Sequence, residues 1–349
     1  MNSNELRAQI LAWYDVNARD LPWRVRPGAR AAGARADPYR VWLSEVMLQQ
    51  TTVAHATPYF LSFTRRWPHV GDLATETDAE VMAAWAGLGY YARARNLLAC
   101  ARAVASQRGG VFPDTEDELR ALPGLGSYTA AAVAAIAFDR PSNVVDGNVE
   151  RVMARLFAVE TPLPLAKSEL KRRAGDLVSA DRPGDWAQAL MDLGATVCRP
   201  KAPVCDRCPV AAHCSALSTG AADTYPRRTA KPERPHRHGV AYVLTFEDKV
   251  ALVRRPPKGL LGGMLALPTS DWRTMRWSDA EAIAVAPIKA DWRDAGEVKH
   301  EFTHFTLTLQ LLRAVASSDD ALIWAPLHEL GALPSVFLKA AQAGLSRRL

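Results

Sequence analysis

Leu122-Pro123-Gly124-Leu125-Gly126 is a glycine turn held between a helical stretch ending near Ala121 and an alanine-rich run over about 127–138. Two glycines permit the tight reversal and let backbone amides approach an anion at the start of the second helix, where the dipole favours negative charge. A helix pair turned for purely structural reasons would carry the same signature. Outward from this turn, residues 5–196 repeat apolar side chains at three and four spacing, as in Leu6, Ile10, Trp13 and Tyr14, with few strand-like alternations. Roughly ten helices are expected. Their boundary signals are Pro38, Pro58, Pro68, Gly109-Gly110, Pro113 and Pro183-Gly184. Residues 26–36, rich in Arg, Ala and Gly, read as a mobile surface loop.

Two acids stand out on either side of the turn. Asp37-Pro38-Tyr39-Arg40-Val41-Trp42-Leu43-Ser44-Glu45-Val46-Met47-Leu48-Gln49-Gln50-Thr51 is an apolar helix with one acid in its middle. A helical glutamate more often lies on a solvated face. Val41, Trp42, Val46 and Leu48 crowd Glu45 from the flanking positions, and an apolar helix face of this kind can supply the raised pKa that a general acid requires, so both readings stand at this point. Downstream, Asp146 in Val144-Val145-Asp146-Gly147-Asn148-Val149 reads as the N-cap of a helix, partly buried by the apolar run before it.

Cys198, Cys205, Cys208 and Cys214 give C-x6-C-x2-C-x5-C within 17 residues. Four soft thiolates with an internal CxxC pair suit a metal centre, and spacing alone leaves structural zinc and an iron-sulfur cluster level. Residues 1–24 show no export signal, so metal ligation is favoured over disulfides and a cytoplasmic location is expected. The fifth cysteine, Cys100, reads as a small buried hydrophobe. Arg199, Lys201 and Arg207 interleave with the thiols and would suit phosphate contacts.

Leu21-Pro22-Trp23-Arg24, the 37–51 string, Gly87-Leu88-Gly89-Tyr90-Tyr91-Ala92-Arg93-Ala94-Arg95-Asn96-Leu97, the glycine turn and the cysteine loop together resemble the MutY adenine DNA glycosylases of the endonuclease III, or helix-hairpin-helix, superfamily. The resemblance covers nearly the whole chain and is densest from Leu21 to Cys214. It implies an all-α helix-hairpin-helix catalytic domain over 1–222, whose hairpin at 122–126 sets Leu122, Gly124 and Gly126 against the DNA backbone. It further implies a [4Fe-4S] cluster on the four cysteines of the 198–214 loop. In the same resemblance Glu45 is the general acid that protonates adenine N7 and later handles the attacking water, Asp146 stabilises the sugar cation, and Asn148 helps position the Asp146 side. Arg19, Trp23, Arg24, Leu48, Val53, Tyr128 and Gln188 would form the adenine pocket. Gln50, Thr51 and Tyr90 would contact or wedge beside the base left opposite. Glycosidic cleavage through an oxocarbenium-like state independently calls for an acid at the leaving base and a carboxylate near the anomeric carbon. Extruding a base from a duplex likewise needs a wedge and a stacking pocket. Bifunctional relatives place a Schiff-base lysine two residues after the hairpin's second glycine. Tyr128 stands there, and no lysine precedes Lys167, so a monofunctional enzyme leaving an abasic site is expected.

Past the cysteines the composition shifts. Residues 223–238, with Tyr225-Pro226-Arg227-Arg228, Lys231-Pro232 and Arg234-Pro235, read as a basic proline-rich linker. Residues 239–349 read as an α+β domain. Strands are expected at 240–246 and 250–254, and Phe305, Leu307, Leu309 and Leu311 alternate with polar residues. Arg254-Arg255-Pro256, Gly262-Gly263-Met264-Leu265-Ala266-Leu267-Pro268 and His300-Glu301-Phe302-Thr303-His304-Phe305 resemble the family's Nudix-like recognition domain. Over 264–285 the sole glutamate is Glu281, so pyrophosphate hydrolysis on a Glu-rich metal helix is not expected. The family's Phe-Ser-His loop reads 8-oxoguanine; here Phe302-Thr303-His304 keeps the hydroxyl and adds a methyl.

The 349 residues are 48% hydrophobic and 23% charged, which excludes disordered and fibrous classes and allows two domains. A formal charge of +6 favours a polyanionic partner, and no stretch is long enough to span a bilayer. By the resemblance, a monomer acting on double-stranded DNA with adenine opposite 8-oxoguanine or guanine is expected, without a membrane partner. Two other readings share these features: a glycosylase of the same fold for another mispair such as G:T, and a non-catalytic DNA-damage binder.

Overall fold

The helix Pro38–Met47 begins where the sequence places it, because Asp37 caps the Tyr39 amide at 2.9 Å and Pro38 occupies the first helical position. It packs on Ser127–Phe138, whose alanines make a narrow rod that is buried along most of its length. On that rod also lies Pro183–Thr196, which in turn carries Ser3–Asn17 and Gly147–Leu156. Pro183–Thr196 and Gly147–Leu156 meet closely: a Cβ on Gly194 would lie 2.6 Å from Asn148 Cβ, so only glycine lets these two helices approach this far. The computed structural model describes residues 2–230, 233–256, 259–316 and 322–346. Lys231 and Pro232 of the expected linker lie outside them. The chain divides into two units, 1–230 and 231–349. In the first, the described residues form helices and no strand beyond an isolated bridge between Leu163 and Arg228.

Two expectations are corrected here. Pro58 does not bound a helix but lies inside Val53–Arg66. The hydrogen bond it cannot make is offset by Ala56, Phe60 and Phe63, which that helix buries in the core. Residues 26–36 are not a mobile loop: Pro27–Ala31 is a short helix, and Arg30 is only 8% exposed. Its guanidinium donates to Ile136 O at 2.9 Å and pairs with Asp139 and with Asp185. A single long cation thus pins the segment to the end of Ser127–Phe138 and the start of Pro183–Thr196.

The second unit is built on strands β1 (His236–Phe246), β2 (Lys249–Arg254), β3 (Leu265–Ala266), β4 (Arg293–Glu301), β5 (Thr306–Val315) and β6 (Ile323–Pro326) in the order β3-β2-β1-β5-β4, with β6 also on β2. β1 runs parallel to β5, and β4 antiparallel to it with an irregularity between Asp294 and Glu297. Helix Ser335–Ser346 lays Val336, Phe337 and Ala340 against Leu307, Leu309 and Leu311. Tyr242, Leu312 and Ala314 face the other way, toward Ala282 and Trp292. The stretch expected as a linker is taken up from both ends: Tyr225 is buried in the first unit's core and β1 begins at His236. Glu281 closes a capping box on Ser278 and accepts from Arg273 at 2.7 Å, contacts that hold its carboxyl down to about 2. The lone glutamate of 264–285 is thereby engaged locally.

Candidate active site

Glu45 lies two residues from the end of its helix, 6% exposed, with Val41, Trp42 and Val46 buried about it. Loss of water around the carboxyl pushes its pKa up to about 7, against a hydrogen bond from Tyr128 that favours the charged form; Asp146 adds to the rise and Arg24 opposes it. The Tyr128 hydroxyl donates to Glu45 Oε2 at 2.8 Å. Burial and the nearby acids hold that phenol well above its ordinary pKa, so it remains a donor. Replacing Tyr128 with Phe removes the hydrogen bond that favours the carboxylate. The Glu45 midpoint in the pH profile of a single-turnover reaction is therefore expected to move upward, and an unchanged or lowered midpoint would refute the assignment.

Asp146 caps helix Gly147–Leu156. Its Oδ1 accepts from the Asn148 and Val149 amides at 2.9 and 2.8 Å, and its Oδ2 accepts from Asn148 Nδ2 at 2.7 Å. Asn148 Oδ1 in turn accepts from Arg151 at 2.8 Å. The carboxylate is thus fixed by the sequence immediately after it, at a helix N-terminus.

Both acids line one cleft of about 330 Å³. Arg19, Trp23, Arg24, Leu48, Val53, Tyr128 and Asn148 line it as well, as do Gln50 and Thr51. Trp23 is buried edge-on against Phe60. Gln188 is not brought there: it is buried in helix Pro183–Thr196, its amide nitrogen bonded back to Gly184 O at 3.0 Å, and Met191 takes the lining position three residues on. Tyr90 also lies off the lining, on the neighbouring turn, 49% exposed. The sequence reading missed Asp192, which is fully buried and accepts from Arg19 N and Nε at 2.9 and 2.6 Å and from Arg24 at 2.7 Å. It orients both arginines of the cleft. The available signal resembled that for Glu45, an acid set among the apolar residues of a helix.

The hairpin is built as its glycines require. Gly124 has φ +75° and a Cβ there would strike Asn96 at 2.5 Å, whereas Gly126, at the start of Ser127–Phe138, faces open space. Leu122 is buried beneath the turn. In the second unit Phe302 donates to Phe305 O at 2.9 Å, closing a turn with Thr303 and His304 exposed at its tip. Phe302 stacks between Trp272 and Phe305.

Among the described residues no group of three or more His, Cys, Asp or Glu side chains is arranged to hold a metal ion. The four cysteines of 198–214 nonetheless share an electrostatic neighbourhood. Burial first, and the other three thiols with it, push Cys208 up to about 11. Arg155, 2% exposed, donates to Cys198 Sγ at 3.3 Å and to the carbonyls of Ala222, Tyr225 and Arg199. Arg151 donates to Cys198 O and Gly194 O, both at 2.8 Å. Among the described residues neither arginine has a carboxylate ion-pair partner. Two buried guanidiniums bonded to this loop favour negative charge on its thiols.

Comparison with known proteins gives two matched families: the HhH-GPD superfamily base excision DNA repair proteins over residues 43–177, and the NUDIX domain over 239–343. The adenine DNA glycosylase of Homo sapiens is 36% identical over 87% of this chain and 66% of its own length, so the chain spans about two thirds of that relative. Those of Mus musculus (36%, 69% of its length) and Mycolicibacterium smegmatis (41%, 64% of this chain and 73% of its own) are similar. Among solved structures, a thermostable thymine-DNA glycosylase is 29% identical over 62% of this chain and 97% of its own, with TM-score 0.55. An endonuclease III–DNA complex at 20% identity covers 63% of this chain and 98% of its own, with TM-score 0.50, and shares the fold.

Proposed function

Because the chain belongs to the adenine DNA glycosylases, we propose that it excises adenine facing 8-oxoguanine or guanine in duplex DNA and leaves an abasic site. One observation carries the reading: a carboxyl raised to about 7 shares a cleft with a second, helix-capping carboxylate. At neutral pH the Glu45 population is divided between acid and base, so the protonated form can give its proton to adenine N7 and the resulting carboxylate can orient and deprotonate water. Asp146 faces the sugar, where positive charge develops as the glycosidic bond lengthens. Arg19 and Arg24, held by Asp192, and Trp23 enclose the extruded base. Tyr128 keeps Glu45 in place and, having no amine, forms no Schiff base, which makes the reaction monofunctional. The hairpin amides at Gly124 and Gly126 grip a phosphate, while Phe302, Thr303 and His304 read the base left opposite.

Cys198, Cys205, Cys208 and Cys214 would hold a [4Fe-4S] cluster, a fit supported by the two buried arginines bonded to this loop, whose charge an anionic centre would offset. When bound, such a cluster supplies a rigid, covalently closed loop with a redox-capable centre. The protein's own contribution there is to present Arg199, Lys201 and Arg207 to phosphates.

The test is single-turnover base release from duplexes carrying A opposite 8-oxoguanine, A opposite guanine and T opposite guanine, each with and without alkali. Release from the two adenine duplexes that yields cut strands only after alkali is expected. Cutting without alkali would overturn the monofunctional reading. Release of thymine alone would move the chain toward the chemistry named for its thymine-DNA glycosylase neighbour, and binding without release would leave a damage binder.

A further inference from the structure

Arg93, at the start of helix Ala92–Arg108, has no part in the chemistry above, yet its guanidinium gathers acceptors from two separate stretches of chain. Nη1 donates to the carbonyls of Val46 (3.0 Å), Met47 (3.1 Å) and Gln49 (2.6 Å). Nη2 donates to the carbonyls of Leu88 (3.0 Å) and Gly89 (3.2 Å) and reaches Thr51 Oγ1 at 3.5 Å. The rings of Trp85 and Tyr90 lie against the same group, and Trp85 Nε1 donates to Gly89 O at 3.0 Å. Val46 and Met47 belong to the last turn of the Glu45 helix, whose carbonyls have no partner further along that helix.

On each side of this bracket a non-glycine residue holds a left-handed backbone: Gln50 with φ 54° and Tyr90 with φ 47°. Such conformations persist only where the surroundings over-determine them. A strained turn pressed alone against stacked bases would relax. Two turns tied through one planar fork cannot move independently, because each donor's direction is fixed by the others.

We propose that Arg93 is a positioning residue that makes the turns at 49–51 and 87–90 a single rigid prong, and that it acts on extrusion of the target base rather than on bond cleavage. The inference rests on the glycosylase reading, and it adds a step at which a residue outside the cleft governs the rate. Lysine, a point charge without the fork, does not replace it.

The experiment reads the two steps separately. Extrusion is followed as the fluorescence rise of 2-aminopurine set in the adenine position opposite 8-oxoguanine, with Glu45→Gln as the non-cleaving background. Adding Arg93→Lys is expected to slow or shrink that rise at least about tenfold, the scale set by misplacement of a positioning group. Adenine release by Arg93→Lys alone should fall in proportion, without movement of the Glu45 midpoint in the pH profile. Tyr90→Ala, at an exposed side chain, is the second variant; it should reduce the same rise, and its effect should not add to that of Arg93→Lys. A normal fluorescence rise with slowed cleavage would overturn the proposal and place Arg93's effect on the Glu45 helix, and additive effects of Arg93→Lys and Tyr90→Ala would overturn the single prong. Failure of the unaltered chain to release adenine would instead remove the glycosylase reading, leaving the fluorescence comparison to judge the bracket by itself.

Discussion

Glu45→Gln is expected to slow adenine release by about 10²- to 10⁴-fold, the range a positioned general acid supplies. Gln keeps the shape of the side chain and can still accept the Tyr128 hydrogen bond, so the loss measures the proton and little else. In the unaltered protein the rate should be highest below the Glu45 midpoint near 7 and fall about tenfold per pH unit above it, because the reactive form is the protonated one. The variant's residual rate should lack that descent. A second consequence concerns stability. The carboxyl titrates near 7 when folded and near 4.5 otherwise, so the folded state binds the extra proton and the protein loses stability as pH rises from about 4.5 to about 7. Above that the cost levels off at about 3 kcal/mol, from the size of the shift. Glu45→Gln should therefore raise the melting temperature at pH 8 and do so much less at pH 5. A variant that loses activity and also melts lower at pH 8 would show that Glu45 is held in place by contacts rather than strained by burial.

What could be read without a structure was whatever depends on neighbours in the chain. Asp37-Pro38 starts a helix and Asp146 caps the one that follows it, each through contacts a few residues away, and Gly124 takes the left-handed backbone its turn needs. Glu45 was singled out by the apolar residues beside it on its own helix, although Tyr128, Asp146 and Arg24, which act on its carboxyl, come from other elements. Asp192 was missed because its partners, Arg19 and Arg24, lie at the far end of the domain sequence and meet it only after Pro183–Thr196 has packed. Arg30 misled for the same reason: a string of Arg, Ala and Gly looks mobile until Asp139 and Asp185, supplied by two other helices, give its charge a buried partner. Gln188 shows the limit of resemblance. A position can match a motif while the helix turns its amide back to Gly184 and offers Met191 to the cleft instead.

Asp146→Asn is expected to slow release by about 10²- to 10³-fold, the scale lost when one preorganised electrostatic stabiliser is removed from a site of developing charge. The argument turns on separating charge from structure, since Asp146 is also the cap of Gly147–Leu156. Asparagine caps as well as aspartate, and its oxygen can still accept from the Asn148 and Val149 amides. What it cannot do is accept at the second position, because its own NH2 would meet the NH2 of Asn148, a donor against a donor. Turning the Asn148 amide over would remove that conflict only by losing the bond from Arg151. Asp146→Asn should thus cost one hydrogen bond, about 1 kcal/mol of stability, beside a loss in rate worth several times more. Asn148→Ala removes that hydrogen bond and the one from Arg151 while leaving the carboxylate, and so should lose at least as much stability without most of the kinetic loss. If the two variants instead slow release equally, the role of Asp146 is to anchor the helix start, and the sugar cation must be stabilised from elsewhere in the cleft.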